Sequence, residues 1–128
     1  MKTVWVSGAS TGIGLATAKK FLNNNWKVII SSSNNEKLLL AKKQLLLKSE
    51  NKELYVFKCD ISDRNQVIET VNKITKQIGN INLAILNAAA YTPNKEQVFS
   101  IQNFEKLIDV NLKGTLFCIE SLINNMKN

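Results

Sequence analysis

Short apolar runs alternate with longer amphipathic stretches along the whole chain. The apolar runs lie at residues 3–7, at Lys27-Val28-Ile29-Ile30-Ser31, at Leu54-Tyr55-Val56-Phe57 and at Leu83-Ala84-Ile85-Leu86. Four to six residues between polar segments is the length of a strand. The intervening stretches repeat at helical spacing, over about 12–24, 34–48, 63–78 and 101–126. The third is the clearest, with Val67, Val71, Ile74 and Ile78 on one face. Asp63 stands where a helix needs an N-cap, and Gly79 where it needs a stop. The second carries two leucine triplets, Leu38-Leu39-Leu40 and Leu45-Leu46-Leu47. The only proline, Pro93, marks a loop after the fourth strand.

Strands two to four read as nearly continuous apolar runs, not as alternating ones. That pattern suits parallel strands covered on both faces. Right-handed crossovers through the helices then give an α/β, doubly wound parallel sheet with helices on both sides. A chain of 128 residues fits one domain, and no internal linker, tandem repeat or low-complexity tail divides it.

The first strand runs directly into Ser7-Gly8-Ala9-Ser10-Thr11-Gly12-Ile13-Gly14, with glycines spaced G-x-x-x-G-x-G before a helix. A dinucleotide phosphate needs that order. Gly8 permits a sharp turn, Gly12 lets the backbone approach the pyrophosphate, and Gly14 lets the helix pack tightly on the strand. The amides that open the helix then face the negative charge, with Ser10, Thr11 and Ile13 in the same turn. An ordinary Gly-rich turn is the plainer alternative.

Charge changes this picture little. The net charge is +7, carried by sixteen lysines and one arginine, Arg64, without a contiguous basic block. Arginine, the usual reader of bases, is nearly absent, so nucleic acid is not the expected partner. No window approaches the length of a membrane span. There is no histidine, which excludes histidine-based proton transfer and metal binding. Cys59 and Cys118 lack metal-site spacing and read as buried free thiols of a cytoplasmic protein. The first strand starts directly after Met1-Lys2, so no signal peptide is expected.

The glycine turn resembles that of the short-chain dehydrogenase/reductase family, T-G-x-x-x-G-x-G, with Ser7 in the threonine position. Three further landmarks follow in order: Cys59-Asp60-Ile61 after the third strand, Leu86-Asn87-Ala88-Ala89 after the fourth, and Val110-Asn111-Leu112 with Gly114 in the last helix. The resemblance implies a Rossmann-like fold with strand order 3-2-1-4. It makes residues 1–128 the N-terminal part of an NAD(P)-binding domain, cut before a fifth strand.

It also implies roles. Asp60 would bond the adenine amino group with Ile61 stacked on the ring, although a turn or capping aspartate is the simpler role. Asn87 would brace the cofactor cleft, beside Ala88 and Ala89, where the family usually has glycine at the last position. Ser32 and Ser33 end the second strand where an acid would select NAD, so NADP is favoured over NAD; a merely polar turn is the alternative. Asn111 is the one candidate catalytic residue, kinking its helix and holding a water through its carbonyl. The family's catalytic serine and Tyr-x-x-x-Lys have no counterpart before Asn128. Tyr91-Thr92-Pro93-Asn94-Lys95 has that spacing, but Pro93 makes it a loop rather than a helix turn.

The expected parent activity is therefore hydride transfer between a nicotinamide cofactor and an alcohol/carbonyl substrate, with the 128-residue chain itself inactive. The alternative is a non-catalytic dinucleotide-binding module or sensor. The family's subunit pairing implies a homo-oligomer through the C-terminal helix. A small-molecule substrate is expected for the parent, and neither nucleic acid nor membrane as partner.

Overall fold

The computed structural model describes residues 1–91 and 99–126. Four strands, β1 (Thr3–Ser7), β2 (Lys27–Ser32), β3 (Leu54–Lys58) and β4 (Leu83–Leu86), form one sheet. All pairs are parallel and the order is β3-β2-β1-β4, the 3-2-1-4 order of a doubly wound sheet. Helices α1 (Gly12–Asn23), α2 (Asn35–Leu47) and α3 (Arg64–Gln77) connect successive strands. Then follow α4 (Ile101–Ile108), a π-helical segment (Asp109–Gly114) and α5 (Thr115–Met126).

The pleat of β1 explains the two cores. Val4 and Val6 point to one face, where α1 and α2 bring Ala18, Leu22, Leu38, Ala41 and Leu45. Trp5 points to the other, where α3 and α5 bring Val67, Val71, Ile74, Cys118 and Leu122. Both faces of the central strands β1 and β2 are dry, so these strands carry apolar residues at consecutive positions, while β3 and β4 at the edges are mostly half-buried.

The long helical pattern at 101–126 is not one regular helix. A six-residue stretch within it, Asp109–Gly114, is π-helical. Asn111 reaches outward to the backbone of Ala90. Gly114 lies so close to Ile61 that an added Cβ would sit 2.8 Å from its side chain. A wider turn lets one helix meet both neighbours. Asp63 caps α3 by accepting from the Gln66 amide, and Gly79 ends it with φ +115°. Among the described residues no helix is long and apolar enough to cross a membrane.

Candidate functional site

The turn after β1 takes its shape from two left-handed glycines, Gly8 at φ +63° and Gly12 at φ +60°. They differ in surroundings. A Cβ on Gly8 would meet Ala88 Cα at 2.6 Å, whereas one on Gly12 would meet nothing within 4 Å. Gly8 is thus packed against the end of β4, and Gly12 offers bare backbone to open space. Gly14 carries the helix packing: its Cβ would fall 2.4 Å from the Gly8 carbonyl oxygen and 2.6 Å from Asn87 Nδ2.

Two polar side chains lock this turn to β4. Asn87 Nδ2 donates to the carbonyls of Ser7 (3.2 Å) and Gly8 (3.0 Å). The Ser7 hydroxyl accepts from the amides of Asn87 and Ala88, both at 3.1 Å. Together these bonds brace the glycine turn against the end of β4. Ser7's share in this bracing is invisible in the sequence, because its partners lie 80 and 81 positions away.

The start of α1 differs from those of α2, α3 and α4. Asn34, Asp63 and Ser100 each accept a bond from the amide three residues on. Thr11, the residue that precedes α1, makes no such bond, and no acid lies in its first turn. The opening amides of α1 therefore lack the partner that a cap supplies.

They face a cleft of about 910 Å3 at the carboxyl ends of the strands. Its walls hold Gly8, Ser10, Thr11, Gly12 and Ile13 from the turn, Ser32 and Ser33 from β2, Asp60 and Ile61 after β3, and Asn87, Ala88 and Ala89 after β4. Of the residues singled out in the sequence, only Gly14 and Asn111 stand behind the lining, not in it. Asn111 Oδ1 accepts from the Ala90 amide at 2.7 Å and its Nδ2 donates to the Ala90 carbonyl at 2.9 Å, so it holds a lining residue. Its own carbonyl accepts from the Thr115 hydroxyl at 3.1 Å.

The serine run divides. Ser31 is fully buried, and its hydroxyl accepts the Trp5 indole N–H at 2.9 Å. Ser32 Oγ accepts from the Asn34 amide, and Ser33 is exposed. Asp60 Oδ1 accepts from both the amide and the hydroxyl of Ser62, the arrangement of a turn aspartate. Ile61 is 5 % exposed, so it shows the cleft little more than an edge. Ala89 needs no glycine, because among the described non-glycine residues only Asn25 has positive φ. In the Tyr91–Lys95 run, residues 92–95 lie outside the described residues.

One wall was missed in the sequence. Gln102, Glu105, Lys106 and Asp109 line the cleft from α4 and the segment after it. Their spacing, i, i+3, i+4 and i+7, is a polar helical stripe that was legible. Cys59 and Ser62 also line the cleft. Burial raises the pKa of the Cys59 thiol, partly offset by a hydrogen bond to Thr70. This thiol is thus neutral and no nucleophile at ordinary pH.

A parallel sheet of order 3-2-1-4 with a glycine turn braced to β4 at its topological switch point defines a doubly wound, Rossmann-like α/β protein. The chain belongs to the short-chain dehydrogenase family, whose sequence model matches residues 2–128. It is 29% identical over 129 residues to an uncharacterised oxidoreductase of Staphylococcus saprophyticus, covering 99% of this chain and 54% of that one. It is 31% identical over 123 residues to a sorbose reductase of Candida albicans, covering 94% and 43%. With a 3-oxoacyl-[acyl-carrier-protein] reductase of Staphylococcus epidermidis it shares 24% over 125 residues, covering 98% and 51%. The chain thus spans about half the length of these relatives. The fold matches an alcohol dehydrogenase of the archaeon Thermococcus sibiricus complexed with 5-hydroxy-NADP. The TM-score is 0.87 at 24% identity, over 99% of this chain and 54% of that one. It also matches an actinorhodin polyketide ketoreductase with NADPH, at TM-score 0.88 and 18% identity, over 98% and 47%.

Proposed function

We propose that residues 1–128 form the NAD(P)-binding part of an oxidoreductase that moves a hydride between a nicotinamide cofactor and an alcohol/carbonyl substrate. The observation that carries this is the uncapped N-terminus of α1 behind the bare backbone of Gly12. Amides without partners, aimed at open space, suit a pyrophosphate. The volume of the cleft agrees, since cofactor and ligand sites span roughly 300–1,000 Å3.

In this proposal Gly8, Ser10, Thr11, Gly12 and Ile13 hold the pyrophosphate, and Gly14 sets the approach of α1. Ser32 and Ser33 face the adenosine ribose, while Asp60 and Ile61 border the adenine. Asn87, Ala88 and Ala89 shape the floor, which Asn111 steadies through Ala90. No carboxylate lines the cleft at the end of β2, which supports NADP over NAD. The nicotinamide, when bound, supplies the hydride chemistry. The residues here bind and orient; none of those lining the cleft combines a phenol with a lysine beside it to pass a proton. The 128-residue chain alone therefore binds dinucleotide without turnover. The exposed Leu116, Ile119, Ile123 and Met126 of α5 support self-association through that helix.

Isothermal calorimetry of the chain with NADP tests this. Binding is expected for the native sequence and its loss for Gly12→Val, which fills the approach to the backbone. Equal affinity in both would overturn the assignment.

A further inference from the structure

The lysines that look scattered along the chain are not evenly balanced. Residues 12–48 hold seven lysines against one acid, Glu36, whereas residues 49–128 hold nine basic and nine acidic residues. A general compositional bias toward lysine would not leave the second part neutral. The excess lies on the layer that α1 and α2 lay over one face of the sheet. Lys19, Lys20, Lys37, Lys43 and Lys48 are exposed there. Among the described residues the salt bridges are Arg64–Glu120 and Lys113–Asp109, so none involves this layer. Nor does any of these lysines line the cofactor cleft, so holding the proposed cofactor does not account for them.

The same layer shows apolar side chains to the outside. Helix α2 buries Leu38, Ala41 and Leu45 against the sheet, yet Leu40 is 67% and Leu47 76% exposed. Seven residues apart, they lie on one outward stripe, with Lys43 between them. This is why the leucine triplets do not fit a one-sided helix: each triplet serves both faces. Beside the stripe, a groove of about 210 Å3 lies between α1 and α2, lined by Leu15, Ala16 and Leu45 with Lys19, Gln44 and Lys48, and it reaches Gly12 at one end of α1.

Clustered lysines around outward leucines match one kind of surface. Anionic headgroups pair with the amines while leucines enter the boundary of the acyl chains. Nucleic acid would match the lysines but leave the leucines without a role. A surface contact of this kind needs no spanning helix. We infer that the α1–α2 face docks the protein on an anionic lipid surface, with Leu40 and Leu47 entering it and Lys19, Lys43 and Lys48 holding the headgroups.

Flotation with lipid vesicles tests this on the 128-residue chain. The chain should float with phosphatidylcholine vesicles that contain phosphatidylglycerol, not with pure phosphatidylcholine, and high salt should release it. L40Q/L47Q and K19E/K48E should each lower the bound fraction at least several-fold. K73E/K76E on α3, with the same change in net charge on the opposite face, should float like the native chain. All substituted residues are exposed, and circular dichroism checks that each variant folds. Failure to float with the anionic vesicles would overturn the inference. So would equal losses in the α3 variant, which would make net charge the cause. Unchanged flotation of L40Q/L47Q, together with tight binding of a single-stranded RNA, would assign the face to nucleic acid instead.

Discussion

Asn111 spends both hydrogen-bonding groups of its side-chain amide on the backbone of one residue, Ala90. A single side chain thereby ties the π-helical segment to the loop after β4. Removing it should loosen the cleft floor without unfolding the sheet. For Asn111→Ala the expected loss is about 1 kcal/mol, because these bonds are exposed and water replaces them in part. Asn111→Asp should be at least as harmful, since a carboxylate oxygen would face the Ala90 carbonyl. Urea midpoints measure the loss. Hydrogen exchange at the Ala90 amide locates it, and unchanged exchange there would refute the clamp.

The three glycines of the turn should separate by mechanism. Gly14→Ala drives a methyl against backbone at 2.4 Å and should destabilise the fold by about 3 kcal/mol, the upper range of overpacking. Gly12→Ala has open space and meets only the strain of φ +60°, roughly 1–2 kcal/mol. Gly8→Ala suffers both, at φ +63° and 2.6 Å from Ala88 Cα. Thermal melts should rank Gly12→Ala as the mildest. A Gly14→Ala chain as stable as the native one would contradict the packing described.

Much of this was legible in the sequence, and for stated reasons. The strand order 3-2-1-4 came from the family resemblance, whereas strand and helix positions followed from apolar runs such as Val28-Ile29-Ile30 and from the face formed by Val67, Val71 and Ile74. Those patterns are local. The family resemblance led to a kink at Asn111, but its π-helical form was not legible, because the contacts of Asn111 with Ala90 and of Gly114 with Ile61 are distant in sequence. The same holds for Ser7, whose hydroxyl joins β1 to β4. Nothing local in the sequence sets Ser31 apart from its neighbours Ser32 and Ser33, because its partner, the Trp5 indole, lies on another strand. The polar stripe of Gln102, Glu105, Lys106 and Asp109 could have been found by spacing alone.

Selectivity between the cofactors should turn on Ser33. It is exposed at the cleft, whereas Ser31 is buried under it. If the proposed binding holds, Ser33→Asp should repel a 2′-phosphate and shift preference toward NAD by an order of magnitude or more. Asp at position 31 should instead unfold the chain, since it would bury a charge beside Trp5. Competition calorimetry with NAD and NADP reads the shift. A native chain that clearly prefers NAD would overturn the role given to the serines.

Alkaline pH should destabilise the fold through Cys118. Burial pushes its thiol up to about 12 from an ordinary 9.0, and the neighbouring Cys59 adds to the shift. Burial also raises Cys59. The unfolded chain releases these protons near 9, whereas the folded chain keeps them. Above that point the unfolded state binds fewer protons, so stability falls as pH rises. The stabilising effect of the neutral thiol is complete below pH 9 and is lost progressively toward pH 12. Urea midpoints measured from pH 7 upward should therefore decline beyond 9. Cys118→Ala should start lower, because it leaves a small cavity, but should decline less steeply. All other ionisable groups are common to both chains, so the difference in slope reports the loss of the Cys118 thiol. Parallel curves for the two would show that Cys118 titrates normally in the fold.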